Sequence, residues 1–323
     1  MMENELAAVV FPGQGAQRPG MGKDFFDQMP CSRETYEEAS DTLGWDVAAL
    51  CFDDEDEDLH LTAFCQPCLL TTEIAMLRGL ADRYGFCPSF FGGHSLGEFT
   101  ALVAADALPL SDALQIVHRR GQLMQDAMPP GLGTMAAVIS ENLDSERLSR
   151  RLEDLPIDVA NVNSIHQIVL SGVTDAMPDA AVRVQETLGE GQTFRFVPLH
   201  VSTPFHSRFM RPVEMHFEEV LRDVGKNLNV SNAQQVTSNF TGDFHSDCRE
   251  DIFTNLIQQV SSIVQWKDNM RRLIAKTDVI YEVGPGRPLR DFFKTMNANC
   301  HSITSLKGAD RIFNQNGPRP EIN

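Results

Sequence analysis

The sequence predicts an α/β protein in which helices cover both faces of a mostly parallel sheet and a smaller unit is inserted into the chain. Three observations support this class. Short apolar strands alternate with helices as far as Met128. A serine flanked by glycines lies between one of these strands and the next helix. From about residue 132 the order changes to β-α-β-β-α-β, which is the ferredoxin-like arrangement.

The first and last parts of the chain supply the larger unit. Its predicted elements are a strand at 6–11, a helix at 67–85, a strand end at 89–93, helices at 96–108, 108–128, 211–224 and 252–260, and a strand at 278–283. Gly85 ends the first helix, and Pro67 is expected near its first turn. Residues 313–323 are expected to form a disordered tail.

The break "PPGLG" at 129–133 marks the start of the inserted unit. Its predicted strands lie at 134–139, 158–163, 167–171 and 194–201, and its helices at 143–155 and 175–188. We therefore expect a large domain made of residues 1–131 and 202–323, and a small ferredoxin-like subdomain at 132–201.

Composition and charge narrow the classes of function. The chain has 323 residues, 42% hydrophobic and 22% charged, which is typical of a soluble globular protein. Its apolar runs are too short to span a bilayer and its N-terminus lacks a signal-peptide pattern, so we expect no membrane partner and a cytoplasmic location. A formal charge of −18 argues against nucleic acid as a partner, because phosphate binding requires a basic surface.

Two further patterns have both a structural and a functional interpretation. "CQPC" at 65–68 has the spacing of a redox or zinc motif, but no second C-x-x-C accompanies it, and an odd total of seven cysteines implies no disulfide framework. "DDEDED" at 53–58 is a block of like charges that repel one another. We expect buried structural cysteines at the first, a solvated loop at the second, and a metal site at neither.

Ser95 is the candidate nucleophile, because Gly93, Ser95 and Gly97 form the G-x-S-x-G pattern of a strand–turn–helix elbow. Such a serine needs a base within hydrogen-bond reach. His206, in "VSTPFHSRFM", lies where the chain returns from the small unit to the large one and is the preferred candidate, with His200 as its nearest rival. His94 adjoins Ser95, but neighbouring side chains on an elbow point apart.

"FPGQGAQ" at 11–17 allows more than one interpretation. It can be a strand-to-helix turn that needs glycine. It lacks the Lys-Ser/Thr pair of a Walker phosphate loop. A third possibility is that the turn brings Gln14 beside the elbow as a donor to an oxyanion.

Several motifs together resemble one family. "FPGQGAQ", "TAFCQPCLL", "GHSLGEFTAL", "RRGQLMQ", "TPFHS" and "YEVGPGRPL" occur in the order and rough spacing of malonyl-CoA:acyl-carrier-protein transacylases, and of the acyltransferase domains of fatty-acid and polyketide synthases. The resemblance covers roughly residues 7 to 306. It implies an α/β-hydrolase-like large domain with a ferredoxin-like small one.

The resemblance also implies a role for each matching residue. It implies Ser95 as nucleophile, His206 as base, Gln259 as the carbonyl that orients the base, Gln14 and the Leu96 N–H as oxyanion donors, and Arg120 as the partner of the malonyl carboxylate. Without the resemblance, the sequence favours Arg120 as a cation on a helix surface. Cys68 and His166 stand where many relatives have a small residue; the first is expected to be neutral packing, and the second leaves details of substrate binding open.

The implied activity is transfer of malonyl from malonyl-CoA, through a Ser95 ester, to the phosphopantetheine thiol of an acyl carrier protein. We expect a cytoplasmic monomer that uses no cofactor or metal, in either fatty-acid or polyketide synthesis. Transfer of another acyl group, and hydrolysis of acyl carrier proteins, remain alternatives, although a hydrolase would not need Arg120. A non-catalytic carrier-binding module would be expected to lack Ser95 or His206.

CoA and carrier proteins are anionic, so an acidic protein needs a local basic area to bind them. The candidates are Arg119, Lys267, Arg271, Arg272, Arg287, Arg290 and Lys294. Scattered solubilising charge is the alternative for each of them.

Overall fold

The computed structural model describes residues 6–55, 57–141, 143–189, 191–201 and 203–315. Its strands are β1 Ala7–Phe11, β2 Phe90–Gly93, β3 Gly133–Ile139, β4 Ile157–Val162, β5 Gln167–Val173, β6 Arg195–Pro198, β7 Val279–Val283 and β8 Cys300–Ile303. Its helices are α1 Lys23–Gln28, α2 Pro30–Leu43, α3 Val47–Phe52, α4 Thr62–Tyr84, α5 Gly97–Ala104, α6 Leu110–Asp126, α7 Ser145–Arg151, α8 Met177–Leu188, α9 Arg211–Val224, α10 Val230–Ala233, α11 Arg249–Gln258, α12 Trp266–Ile274, α13 Pro288–Lys294 and α14 Leu306–Gln315.

The first sheet is parallel and has the strand order β2-β1-β7-β8. All five residues of β1 are buried, which explains its uninterrupted apolar sequence, since a central parallel strand is covered on both faces. Phe11 at the carboxyl end of β1 is in register with Gly93 at the end of β2. The turns that follow these two strands therefore meet at one edge of the sheet.

The second sheet is antiparallel and has the order β4-β5-β3-β6. Its elements follow the predicted order β-α-β-β-α-β along the chain. Side chains alternate across β3: Ala136 and Val138 pack with α7 and α8, while Met135 and Ala137 belong to the main core. One face of this sheet is thus covered by its own helices and the other is turned toward the first sheet.

Backbone hydrogen bonds join the second sheet to the segment before α12. The N–H of Val162 donates to Val264 O at 3.0 Å, and the N–H of Val264 donates to Ala160 O at 2.8 Å. The segment before α12 therefore extends the edge of the second sheet, and strand β4 is held at a fixed position beside the first.

Helix α4 differs from its prediction, because it begins at Thr62 and contains Pro67 in its interior. Proline has no N–H, so it cannot donate to the carbonyl of Ala63 four residues earlier. Nδ1 of His118 on α6 lies 3.0 Å from that carbonyl oxygen. The donor missing from one helix is thus supplied by its neighbour, which gives His118 a role that the sequence did not predict.

Other boundaries shift for local reasons. The helix expected at 143–155 is the shorter α7, whose start is set by Asp144: its carboxylate accepts the N–H of Arg147 at 2.9 Å. The strand expected at 194–201 is the shorter β6, with one further backbone hydrogen bond from Leu199 to Met135. By contrast, α9 has the predicted bounds.

The prediction of a disordered tail is wrong at its beginning. Helix α14 includes Phe313, whose ring stacks on Tyr84 with 4.8 Å between ring centroids and also stacks on Tyr281. The Phe313 side chain, although it lies in a polar segment, packs against these two aromatic rings. Residues 316–323 lie outside the described residues.

Cys65 and Cys68 are buried and unpaired, as predicted for structural cysteines. Burial raises the pKa of both thiols, so they stay protonated at neutral pH. In the part of the chain that the structure describes, no group of three or more His, Cys, Asp or Glu side chains could hold a metal ion. No described helix has the length and apolar content needed to cross a membrane.

Candidate active site

Ser95 occupies the tight turn between β2 and α5 with a φ of 53°, in the left-handed region that non-glycine residues rarely adopt. The two glycines of the motif make this turn possible. A Cβ on Gly93 would lie 2.0 Å from the carbonyl carbon of Gly97, and a Cβ on Gly97 would lie 2.3 Å from the carbonyl oxygen of Phe11. Any side chain at either position would push the elbow out of the sheet edge.

His206 stands beside the serine. Its Nε2 lies 2.7 Å from Ser95 Oγ, and its Nδ1 lies 2.7 Å from the carbonyl oxygen of Gln259. Because a carbonyl can only accept, Nδ1 must carry the hydrogen, which leaves Nε2 free to accept from the serine hydroxyl. Burial, and after it the positive charge of Arg120, lowers the pKa of His206 to about 3, so the ring is neutral at pH 7.

The loop that carries His206 is tied to the second sheet on both sides. Ser171 on β5 donates its hydroxyl to Phe205 O at 2.7 Å. Asp158 on β4 accepts the backbone N–H of Arg208 at 2.7 Å and its Nε at 2.9 Å. The second sheet therefore fixes the histidine, which itself has a strained φ of 56°.

Arg120 is only 1% exposed, so its interpretation as a helix-surface cation is wrong. Its guanidinium donates to Gln66 Oε1 at 2.8 Å, to Gln259 Oε1 at 2.8 Å and to Ser95 Oγ at 3.2 Å. Its Nε has no acceptor, and no carboxylate of the described residues forms an ion pair with it. Burial lowers the pKa of Arg120 to about 10, although the carboxylate of Glu98 opposes this, so the side chain stays charged at pH 7.

The two predicted oxyanion donors both line the cleft above Ser95. Leu96 precedes the first residue of α5, and none of the hydrogen bonds among the described residues uses its N–H. The Gln14 side-chain amide donates to Thr62 Oγ1 at 3.1 Å, which holds the turn after β1 against the start of α4. Both donors therefore line the same cleft as the serine, one unused and one engaged.

Two other candidate histidines, His200 and His94, do not contact the Ser95 hydroxyl. His200 is exposed and outside the cleft. His94 lines the cleft, and its Nε2 lies 2.8 Å from Asn163 Oδ1 rather than near the serine hydroxyl, in agreement with the expectation that neighbours on an elbow diverge.

A buried polar group lies beneath the elbow, and the sequence analysis identified its member Gln259 but missed Glu98 and Asn239. Glu98, Asn239 and Gln259 are each 0% exposed and are joined by hydrogen bonds of 2.6 Å to 2.9 Å. His245 Nε2 lies 3.0 Å from Glu98 Oε1, also fully buried. A carboxylate inside the apolar helix "GEFTALVA" was the one available signal, because buried acids need partners.

The cleft that these residues border has a volume of about 400 Å³ and lies between the two sheets. Its floor is the elbow with Arg120 and His206. Its wall is the open face of the second sheet, with Met135, Ala137 and Val197. A polar reactive end and an apolar wall suit a substrate with a charged acyl group on a longer, less polar arm.

Comparisons with known proteins agree on one family. A family model described as "Acyl transferase domain" matches residues 8–284. The malonyl CoA-acyl carrier protein transacylase of Bacillus subtilis is 38% identical over 304 residues, covering 92% of this chain and 92% of that protein.

Solved structures give the same result. The crystal structure of malonyl CoA-acyl carrier protein transacylase from Clostridium perfringens has a TM-score of 0.87 and 32% identity, covering 96% of each chain. A malonyl-transacylase solved in complex with its type II polyketide synthase acyl-carrier protein has a TM-score of 0.86 and 31% identity, covering 97% of this chain and 100% of that one. The mixed α/β fold with its parallel sheet and the whole-length sequence similarity lead to one conclusion: this chain belongs to the malonyl CoA-acyl carrier protein transacylase family.

Proposed function

We propose that this protein transfers a malonyl group from malonyl-CoA, through an ester on Ser95, to the phosphopantetheine thiol of an acyl carrier protein. One observation carries the substrate class. Arg120 is a buried guanidinium, next to the Ser95 hydroxyl, with no carboxylate of the described residues in an ion pair with it. The free carboxylate of a malonyl group would supply the missing partner, and an arginine can bind a carboxylate through two parallel hydrogen bonds.

In the first half-reaction, His206 Nε2 takes the proton of Ser95 Oγ as the oxygen attacks the thioester carbonyl. The carbonyl oxygen becomes an oxyanion, for which we propose Gln14 and the Leu96 N–H as donors; each donor of this kind is worth ~3 kcal/mol. The tetrahedral intermediate then collapses. The C–S bond breaks, CoA leaves as the thiol with the proton from His206, and the malonyl ester remains on Ser95.

In the second half-reaction the carrier thiol repeats these steps in reverse order. His206 accepts the thiol proton, the sulfur attacks the ester carbonyl, and the Ser95 oxygen leaves and recovers the proton. The Gln259 carbonyl keeps the imidazole in one tautomer throughout, which takes the role that an aspartate has in a serine triad. A malonyl carboxylate held by Arg120 fixes the ester in one orientation, which favours a thiol delivered along the cleft over water.

We propose that the two sheets belong to an α/β-hydrolase-like domain, residues 1–131 and 202–323, and a ferredoxin-like subdomain, residues 132–201. The strand order β4-β5-β3-β6 supports the second assignment, and the elbow between β2 and α5 supports the first. Residue 202 and the terminal residues lie outside the described part of the chain. We further propose a cytoplasmic monomer that needs no cofactor and serves fatty-acid or polyketide synthesis.

Cations at the mouth of the cleft support the carrier as second substrate. Arg195 lines the cleft on β6 and is exposed, and Arg287 is exposed directly before Pro288, which also lines it. Neither forms an ion pair with a described residue, whereas Arg271, Arg272, Arg290 and Lys294 all do. Unpaired cations on an acidic protein attract anionic partners to one place.

Intact-mass measurement after incubation with malonyl-CoA tests the proposal. We expect the wild type to gain one malonyl group and Ser95→Ala to gain none. His206→Ala should lose most turnover with the fold retained, while His200→Ala, the matched exposed histidine, should remain close to wild type. A malonyl adduct on Ser95→Ala, or wild-type turnover by His206→Ala, would contradict the assignments.

A further inference from the structure

Glu98 is a fully buried carboxylate in the first turn of α5. One of its oxygens, Oε2, accepts three hydrogen bonds: from the Asn239 backbone N–H at 2.9 Å, from the Asn239 side-chain amide at 2.6 Å and from the Gln259 side-chain amide at 2.6 Å. An ionised carboxylate is an acceptor only, and short bonds to it are stronger than bonds between neutral groups. This one oxygen therefore fixes two amide side chains from distant parts of the chain.

The first amide leads to the nucleophile. Asn239 directs its side-chain nitrogen to Glu98 and to Gly93 O, at 2.7 Å. Its oxygen must then face the other way, where it accepts the backbone N–H of Ser95 at 3.1 Å. Asn239 thus bonds the peptide groups on both sides of the elbow and supports the left-handed φ of Ser95.

The second amide leads to the base and the guanidinium. Gln259 directs its side-chain nitrogen to Glu98 and to Ser95 O, at 3.2 Å, so its oxygen is left to accept from Arg120. The main-chain carbonyl of the same residue orients His206. A rotation of this side chain would disturb Arg120 and, through the backbone, His206.

The other oxygen of Glu98 faces His245. His245 Nε2 lies 3.0 Å from Glu98 Oε1, which is close enough for an ion pair, but the two atoms lack the alignment of a hydrogen bond. A glutamine at position 98 could therefore keep its oxygen on the two amides and turn its nitrogen toward this imidazole. A neutral side chain of the same shape preserves the orientation of Asn239 and Gln259, whereas alanine removes it.

We infer that Glu98 is a positioning residue for the acyl-transfer site, which through Asn239 and Gln259 holds Ser95, His206 and Arg120 in their reactive arrangement. The inference rests on Ser95 being the nucleophile, as in the proposed function, but not on which acyl group it carries. The role depends on hydrogen-bond acceptance by the Glu98 side chain and not on its charge.

Labelling of Ser95 by a fluorophosphonate probe tests this directly, because that reaction needs the serine and its base but no acyl-CoA and no carboxylate partner. We expect Glu98→Ala to label about 100-fold more slowly, since misplacement of reacting groups by about 1 Å can cost that factor. Transfer of malonyl and of acetyl should fall in parallel. Glu98→Gln should label within about tenfold of the wild type, because its oxygen rescues both amides.

Glu73→Ala is the matched control. Glu73, on α4, is equally buried and accepts the hydroxyl of Thr100 on α5, but it has no hydrogen bond to Ser95, Asn239 or Gln259 among those of the described residues. Its labelling rate should stay within about twofold of the wild type, which separates positioning from general damage to the core.

If Glu98→Ala does not fold, Glu98→Gln and Asn239→Ala carry the test, with about tenfold slower labelling expected for the second. Labelling by folded Glu98→Ala or by Asn239→Ala at the wild-type rate would overturn the inference. Labelling by Glu98→Gln more than about tenfold slower than that of the wild type would also overturn it, because charge would then be the cause. A wild-type protein that labels normally but transfers no malonyl would instead refute the proposed function alone.

Discussion

The Ser95 hydroxyl lies between two groups that act on it in different ways. In the proposed function, His206 Nε2, at 2.7 Å, accepts its proton, and Arg120, at 3.2 Å, stabilises the negative charge that remains. The same arginine weakens the base, because its charge lowers the pKa of the imidazole. The site thus combines a weak base with a stabilised alkoxide, and a malonyl carboxylate that binds Arg120 would change the balance between them.

Arg120 should decide the preference between acyl groups. In Arg120→Ala a malonyl carboxylate would be buried without its partner, which costs ~2–5 kcal/mol. The ratio of kcat/KM for malonyl-CoA to that for acetyl-CoA should fall about 30-fold or more, because each ~1.4 kcal/mol is a factor of ten. Steady-state transfer of both acyl groups measures it.

Arg119→Ala, which alters the exposed neighbour on the same helix, is the control and should leave the ratio unchanged. Equal losses for malonyl and acetyl in Arg120→Ala would show that the arginine is structural and that the dicarboxylic substrate class is wrong.

The lowered pKa of His206 predicts an unusual pH profile. Since the folded-state pKa is about 3, the ring stays neutral as pH falls from 8 to 5. The rate of fluorophosphonate labelling should therefore be flat over this range. An inflection near the ordinary histidine value of about 6.5 would contradict the burial of the base.

The same shift makes His206 a source of acid instability. Below about pH 6.5 the unfolded chain binds a proton at this histidine that the folded chain does not, so its contribution to stability is lost progressively as pH falls toward about 3. His206→Gln should therefore lose less stability on acidification than the wild type. Urea unfolding at pH 7 and at pH 5 measures the difference.

Among the secondary-structure elements, α4 and α6 form the interface that aims Arg120. Ala63 O accepts from His118, and Gly121 approaches so closely that a Cβ there would lie 2.5 Å from Thr62 O. These two contacts fix the rotation and the register of α6. Arg120, which lies between them in sequence, is thereby directed at Gln66 and Ser95.

A double-mutant cycle tests this helix contact. His118→Ala should lower the free energy of unfolding by about 1–3 kcal/mol, because the buried Ala63 carbonyl is left without a donor. In a Pro67→Ala background the same change should cost less, since the restored N–H of residue 67 replaces the lost donor. Urea unfolding of the four proteins measures the coupling, and an equal cost in both backgrounds would contradict it.

Local patterns predicted the elements more reliably than their ends. The bounds of α9, which were predicted, agree with two local signals, a proline in its first turn and the glycine after its last residue. The interior position of Pro67 could not be predicted in this way, because the compensating donor, His118, lies 55 positions beyond Ala63 in the chain. Phe313 was assigned to a tail because its neighbours are polar, although its ring stacks on Tyr84.

The candidate site shows the same limit. The elbow is a local motif, so Ser95 could be identified from its glycines, and His206 from its place at a junction. Arg120 and Gln259 were identified only through the family resemblance. The contacts of Glu98 with Asn239 and Gln259 join residues 141 and 161 positions apart, and no local pattern encodes them.

For the whole molecule, a charge of −18 means that an acidic carrier must be drawn to a small cationic area. Arg287→Glu should raise the KM for the carrier protein several-fold more than the KM for malonyl-CoA, because a charge at the rim mainly affects encounter. The effect should shrink in high salt, where the Debye length falls to about 3 Å at 1 M.

Arg271→Glu is the control for this prediction, since Arg271 is exposed but already paired with Asp268. If both substitutions raised the two KM values equally, or if neither had an effect, the carrier would have to bind elsewhere.

The wide separation of the reactive groups along the chain has a consequence for protein synthesis. A nascent chain that has emerged only as far as α6 already contains Ser95 and Arg120. It lacks His206 and Gln259, and strand β1 still lacks its neighbour β7, which begins at Val279. In the proposed function such a chain holds the nucleophile without its base, so we expect the unfinished protein to form no acyl ester that a carrier could not collect. The ribosome would then complete most of the polypeptide before acyl transfer begins.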